Sequence, residues 1–333
     1  MAQLTRQEAR RIVRKIAQRN GSITDEDREA TPPAVLKALQ NVRNQLASQR
    51  TLWIPLDTPD VRRDVVFRLI SSARSLRYTR AEREGKEPYF SLDVSRNRIV
   101  IKTNDDGCQE SDIEELSEAR HALSNDSTGN LYGAVLSYTA RISSEVHVQS
   151  GPFSFVLKPQ SKGDSLGFAI PVNKEPASLP EGVRSRIVLY PLLSRGFEEL
   201  VDEFEAIANN GIVLLNPDDV RQPMCKKFVF QTQTWRLKYK VQLRDGVSEV
   251  TQTQDPIFAG IFSHFPPSVT KRFLLYKPTK PGPFDKTVLL FPIDEDSRPV
   301  IGFQKVYHIV GSFAFPIVGV RLKVSSSIDV TCK

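Results

Sequence analysis

Up to about residue 75 the apolar residues of this chain recur at helical spacing, and from Tyr89 onward they alternate one by one. That change of period confines the fold to helices laid against a sheet, because each pattern leaves one apolar face that the other must cover. Ala9, Ile12, Val13, Ile16 and Ala17 share a face and predict a helix over 5–18, closed by Asn20-Gly21. Thr31-Pro32-Pro33 opens a second helix, with Val35, Leu36, Leu39, Val42 and Leu46 on its stripe. A third is expected over 61–75, capped by Asp60 and burying Val65, Val66, Leu69, Ile70 and Ala73. Phe90, Leu92, Ile99 and Ile101 then alternate around Ser95-Arg96-Asn97 as a hairpin over 89–94 and 98–102. A short helix over 111–121 and a second hairpin, 145–148 with 153–157 around Ser150-Gly151-Pro152, follow.

The Pro-rich stretch 171–181 reads as a linker. Beyond it the pattern predicts a strand over 185–190, a helix over 196–208 and a strand over 211–215. Further strands are expected over 227–230, 234–243, 271–276, 287–292 and 300–309. The fold class is therefore α/β in the broad α+β sense. A layered domain over 1–172 with N-terminal helices precedes a strand-rich α+β domain over 182–333.

Composition narrows the setting. With 333 residues and 40% hydrophobic content the chain can bury a large core, and 26% charged residues is an ordinary share for a folded protein. Cys108, Cys225 and Cys332 are far apart with no C-x-x-C pair, which argues against a disulfide framework or a zinc site and for a reducing, cytoplasmic setting. No H-x-x-x-H or carboxylate cluster has metal-ligand spacing, so no metal is expected. The N-terminus is basic without an apolar h-region, and no apolar run reaches membrane-spanning length, so neither a secretory leader nor a membrane partner is expected. The net charge of +7 has its surplus in residues 1–80, spread over helical faces with no interleaved aromatics. That distribution disfavours nucleic acid and leaves the N-terminal helices able to meet a protein partner.

The order of segments between Val65 and Gly151 resembles the GHKL or Bergerat-fold ATPases. It is most similar to the fungal and plant ATPases related to sacsin and the No Vein protein. The helix VVFRLISSARS stands where that family reads E-L-I-Q-N-A-D-D. Asn104-Asp105-Asp106-Gly107 stands at its N-E-D-G-F turn, and VHVQSG closes the region. FPIDEDSRPVIGFQKVYHIV is similar to a segment that follows the ATPase domain in the family, so the likeness extends over most of the chain. It implies a Bergerat-type layered sandwich for the first domain.

The same resemblance implies that the chemistry has been replaced. The family's general-base glutamate falls on Arg68 and its magnesium-ligating asparagine on Ser72, while a following acid falls on Arg74. A guanidinium stays protonated and cannot serve as a base, and a lone hydroxyl is a poor ligand for a hard cation. Asp106 takes the place of the aspartate that meets the adenine amino group, followed by Gly107. An Asp-Asp-Gly run is equally an ordinary turn. The phosphate lid K-G-I-G-F-K falls on Tyr132, Gly133, Ala134, Val135, Leu136 and Ser137, an apolar loop with one glycine and neither lysine. Such a loop is a poor phosphate cradle and a fair wall for an apolar ligand.

Two functions follow as expectations. In one, the former nucleotide pocket promotes a cofactor-independent cyclisation or isomerisation, pericyclic steps included, of an apolar small molecule in fungal secondary metabolism. Arg68, Tyr132 and Asp106 would be its catalytic groups; Ser72, Arg74, Gly107, Leu131, Val135 and Leu136 would line the site. In the other, the chain is a non-catalytic pseudo-ATPase interaction module, with residual chaperone-like ATP binding as a third outcome. His147 is expected to be structural, and His121 an exposed residue at a helix end or else one that reaches the pocket.

Overall fold

The computed structural model describes residues 4–19, 22, 25–38, 41, 58–117, 142–159, 169–191, 197–210, 225–233, 236–244, 247–254, 268–276, 287–296, 298, 306–310, 313–317, 321–324 and 328–331. Helix α1 (Arg6–Arg19) buries Ala9, Val13, Ile16 and Ala17, the face that the spacing predicts. Its start is a reciprocal cap: Glu8 accepts from the Thr5 amide at 2.8 Å, and the Glu8 amide donates to Thr5 Oγ1 at 3.3 Å. A short helix α2 (Asp25–Ala30), absent from the apolar pattern because its sequence DEDREA holds a single apolar residue, precedes a helical segment α3 at 33–38.

Helix α4 (Pro59–Ser75) is the helix expected over 61–75, with a different cap. Thr58 is the N-cap and its side chain accepts from the Val61 amide at 3.4 Å, while Pro59 and Asp60 already lie inside the first turn. Proline at the first helical position gives up only an amide that would have had no partner there. α5 (Thr79–Arg83), α6 (Glu110–Ser117) and α7 (Phe197–Asn210) complete the helices used below.

The strands are β1 (Tyr89–Ser95), β2 (Arg98–Thr103), β3 (Ser143–Ser150), β4 (Phe153–Pro159), β5 (Ala169–Asn173), β6 (Ser185–Pro191), β7 (Lys227–Gln231), β8 (Arg236–Arg244), β9 (Val247–Gln254), β10 (Ser268–Tyr276), β11 (Thr287–Ile293), β12 (Val306–Val310), β13 (Phe313–Ile317), β14 (Arg321–Val324) and β15 (Ile328–Thr331). β14 and β15 pair with each other; the first thirteen form one sheet in the order β13-β12-β11-β10-β9-β8-β7-β1-β2-β6-β3-β4-β5. β1 and β7 run parallel.

The expected partition at 172/182 meets a sheet that does not divide there. β5 takes in 171–173, and β6, on the far side of the Pro-rich stretch, lies between β2 and β3. The second half joins through the β1–β7 pairing, where Leu92 stands beside Phe230. The strand expected over 211–215 lies outside the described residues.

Among the described residues the main apolar core is shared by the sheet and its helices. Phe90, Leu92, Ile99, Ile101, Val146, Val148, Phe155, Ile187, Leu189, Phe228 and Phe230 point into it with the buried faces of α1, α4 and α7. Arg63 Nε meets Glu203 at 2.9 Å across α4 and α7, and Arg19 meets Glu114 at 2.8 Å across α1 and α6. No helix among the described residues is long and apolar enough to cross a membrane.

Candidate functional site

The acidic turn leaves the end of β2, whose inward residues are Ile99, Ile101 and Thr103. The period of two carries on for one more step, so Asp105 also points inward, with 2% of its surface exposed. Thr103 Oγ1 donates to Asp105 Oδ1 at 2.7 Å, and Ser185 Oγ donates to the same oxygen at 2.5 Å. Ser150 Oγ lies 2.7 Å from Ser185 Oγ and accepts from the Cys108 amide at 2.8 Å. A hydroxyl carries one proton, so Ser185, which gives its proton to Asp105, accepts from Ser150. The result is a directed chain, Cys108 N–H to Ser150 to Ser185 to Asp105, that ties the turn to β3 and β6.

Gly107 sits inside this arrangement at φ +95°, in the left-handed region, and a Cβ there would stand 3.4 Å from Ser150 Oγ. A side chain at this position therefore meets both backbone strain and a close neighbour. Cys108 is buried, which pushes its thiol well up, with Asp112 and Asp105 adding to the effect. Asn104 holds the approach to β1: its Oδ1 accepts from the Tyr89 amide at 2.7 Å and its Nδ2 donates to the Glu87 carbonyl at 2.9 Å.

Asp106 points the other way, into solvent. Its Oδ1 accepts from the Arg80 amide at 2.8 Å and its Oδ2 from the Thr79 amide at 3.2 Å. The side chain at the N-cap of α5, Tyr78, makes no cap bond, its hydroxyl donating instead to the Ala73 carbonyl, and Asp106 supplies the cap from a distant part of the chain. The Asp106 amide in turn donates to the Arg77 carbonyl at 2.7 Å, fastening the turn to the segment that leaves α4. Asp106→Ala is expected to lower stability by about 1 kcal/mol, the worth of a helix cap, with Asp106→Asn costing less because an amide oxygen still accepts. Urea titration of the two variants checks both values.

Beside the turn is a cleft of about 190 Å³ lined by Ala81, Glu84, Lys86, Asn104, Gly182 and Arg184 among others. Glu84 is its charged hub, meeting Lys86 at 2.9 Å, Arg80 at 2.9 Å and Arg184 at 3.0 Å. The hydrogen bonds from Lys86 and Arg80 hold its carboxyl down to about 2.

Arg68 lies on α4 with its Nε 2.8 Å from Asp64 Oδ2, an ion pair across one helical turn. Ser72 and Arg74 follow on the same helix; their side chains lie outside the described residues, as do Leu131, Tyr132, Val135 and Leu136. Arg68 is thereby tied to a carboxylate of its own helix, and its guanidinium stays protonated. Among the described residues no grouping of His, Cys, Asp or Glu could hold a metal ion.

His147 faces Glu145 through Nε2 and Lys174 through Nδ1, the latter at 2.7 Å, and its ring lies 4.9 Å from that of Tyr190. Asp105, Ser150, Ser185 and Thr103 escaped the sequence reading. Continued alternation out of β2 was the available signal for Asp105; nothing in the sequence brings Ser150 and Ser185 to it, because their meeting depends on β6 pairing between β2 and β3.

No protein-family model matches the chain, and no curated protein does. Among solved structures it is similar to the B-subunit of the DNA gyrase from Myxococcus xanthus, with a TM-score of 0.31 and 13% identity. That match covers 57% of this chain, which spans 60% of the gyrase chain.

Proposed function

We propose that the chain is a Bergerat-type head of the sacsin and No Vein kind that does not hydrolyse ATP and has turned its former nucleotide pocket to another ligand. The carrying observation is the Arg68–Asp64 ion pair on α4. In the register that the resemblance implies, this paired cation stands where the family's mechanism needs a carboxylate to take a proton from water. The buried Asp105 network and Gly107 hold the turn that the resemblance sets beside that pocket. The ligand is an apolar small molecule, and the activity is a cyclisation or isomerisation that needs no cofactor. In that reading Arg68 and Tyr132 polarise a carbonyl, while Leu131, Val135 and Leu136 fold the substrate against it.

A second reading, a non-catalytic interaction module, is favoured by Asp106. Both of its oxygens are engaged by the α5 amides, so the one exposed acid of the turn is occupied with architecture.

Calorimetric titration with ATP and ADP, with and without magnesium, paired with a phosphate-release assay, tests the shared premise. The expected result is no phosphate release above background and no gain in affinity on adding magnesium. Tight magnesium-dependent binding would sink both readings. If the premise holds, Arg68→Ala separates them: the enzyme requires that turnover of an identified substrate fall, and the module requires no turnover from the start.

A further inference from the structure

On β1, β2, β3 and β6 the core takes Phe90, Leu92, Ile99, Ile101, Val146, Val148, Ile187 and Leu189. The residues between them belong to the opposite face of the sheet. Strand registers place four of these in one row across neighbouring strands: Ser91 beside Lys102, Lys102 beside Arg186, Arg186 beside Gln149. Lys102 and Arg186 are thus directly opposed cations on adjacent strands, at the roughly 5 Å Cβ spacing where like charges destabilise a sheet. Both are half-buried and reach solvent.

The row holds no acid to offset them. Gln149 is occupied, donating to the Ala177 carbonyl and accepting from the Ala177 amide. Asp93, two residues along β1 beside Val100, has its carboxyl raised by burial, with Lys102, Arg98 and Arg236 acting against that shift. The Arg186 Nε is buried and meets no acceptor among the described residues. A buried guanidinium donor without an acceptor, set against a second cation, is a costly arrangement unless an anion completes it.

We propose that Lys102 and Arg186 form an anion site for a phosphate monoester group on the sheet face opposite the core shared with α1, α4 and α7. Two adjacent cations match the dianion of a monoester, and the guanidinium fork offers parallel N–H donors to two of its oxygens while the ammonium meets a third. A carboxylate would neutralise only half of the pair. The site shares no residue with the pocket proposed around Arg68 of α4, so the failure of one leaves the other standing.

The test is the whole chain titrated with inorganic phosphate in chloride buffer at constant ionic strength, followed by thermal unfolding and calorimetry. The wild type is expected to gain stability with phosphate, and Arg186→Gln to weaken binding by about tenfold or more. Lys102→Gln should weaken it as well, which keeps the test open if Arg186→Gln does not fold. In phosphate-free buffer Arg186→Gln is expected to be at least as stable as the wild type, because it removes the opposed charge. No response to phosphate, or the same response in both variants, would overturn the site. So would a loss of stability in phosphate-free Arg186→Gln, which would make Arg186 a structural residue. Binding of a single-stranded oligonucleotide in place of inorganic phosphate, with affinity falling steeply with salt, would overturn the monoester assignment.

Discussion

Asp105→Ala is expected to lower the stability of the fold by about 3 kcal/mol, the sum for two buried hydroxyls that lose their acceptor. Thr103 and Ser185 both donate to the same carboxylate oxygen, and all three residues have 2% or less of their surface exposed. Water has no ready access to replace the carboxylate. The loss also passes along the chain of hydroxyls to the Cys108 amide, and so to Gly107, whose positive φ depends on the turn being held. Denaturant unfolding of Asp105→Ala, Ser185→Ala and the double variant makes a cycle. With the donor removed as well, the double variant should cost clearly less than the two singles added together. Additive costs would mean that the carboxylate and Ser185 act independently. Asp105→Asn is expected to fall between, since its oxygen still accepts but its new N–H₂ needs acceptors that the network does not offer.

The contrast between Asp105 and its neighbour shows what sequence carried and what it did not. The strands and helices around the turn were legible because their apolar residues repeat at two or near four, and those repeats match the core: Ala9, Val13 and Ile16 on α1, Phe90 and Leu92 on β1, Ile99 and Ile101 on β2. A turn has no period, so Asp105 and Asp106 look alike in the sequence. Their fates differ by one step of the pleat: one accepts hydroxyls in the core, the other caps α5 from outside. Long-range meetings were illegible for a related reason. Nothing local announces that β6 enters between β2 and β3, yet this pairing delivers Ser185 to Asp105 and sets Arg186 beside Lys102. The Thr58 cap was missed because Asp60 is an equally good cap by type, and only the placement of Pro59 at the start of the helix decides between them.

Phe230→Ala should cost about 4 kcal/mol, in the range found when a fully buried phenylalanine is truncated in a core that closes only partly around the space. Phe230 has no exposed surface, and its ring lies 5.7 Å from Phe204 of α7, edge-on, 5.6 Å from Tyr239 of β8 and 6.2 Å from Phe228. It stands beside Leu92 in the parallel β1–β7 pairing. Truncation therefore removes contacts on both sides of the Pro-rich stretch at once. Were 1–172 and 182–333 to unfold independently, the damage would stay with the strands from β7 onward. In a continuous sheet it spreads, and amide exchange at Leu92 and Ile101 should quicken in Phe230→Ala alongside that at Tyr239. A loss of about 4 kcal/mol corresponds to roughly three powers of ten in globally limited exchange. Phe230→Leu, which keeps most of the volume, should recover the larger part of the loss. Exchange that quickens at Tyr239 while Leu92 and Ile101 keep their wild-type protection would show that the β1–β7 pairing joins two separately stable bodies. The Tyr239 hydroxyl donates to the Ala208 carbonyl at 2.5 Å, so α7, β7 and β8 are tied by a hydrogen bond as well as by rings, and these three elements should lose protection together.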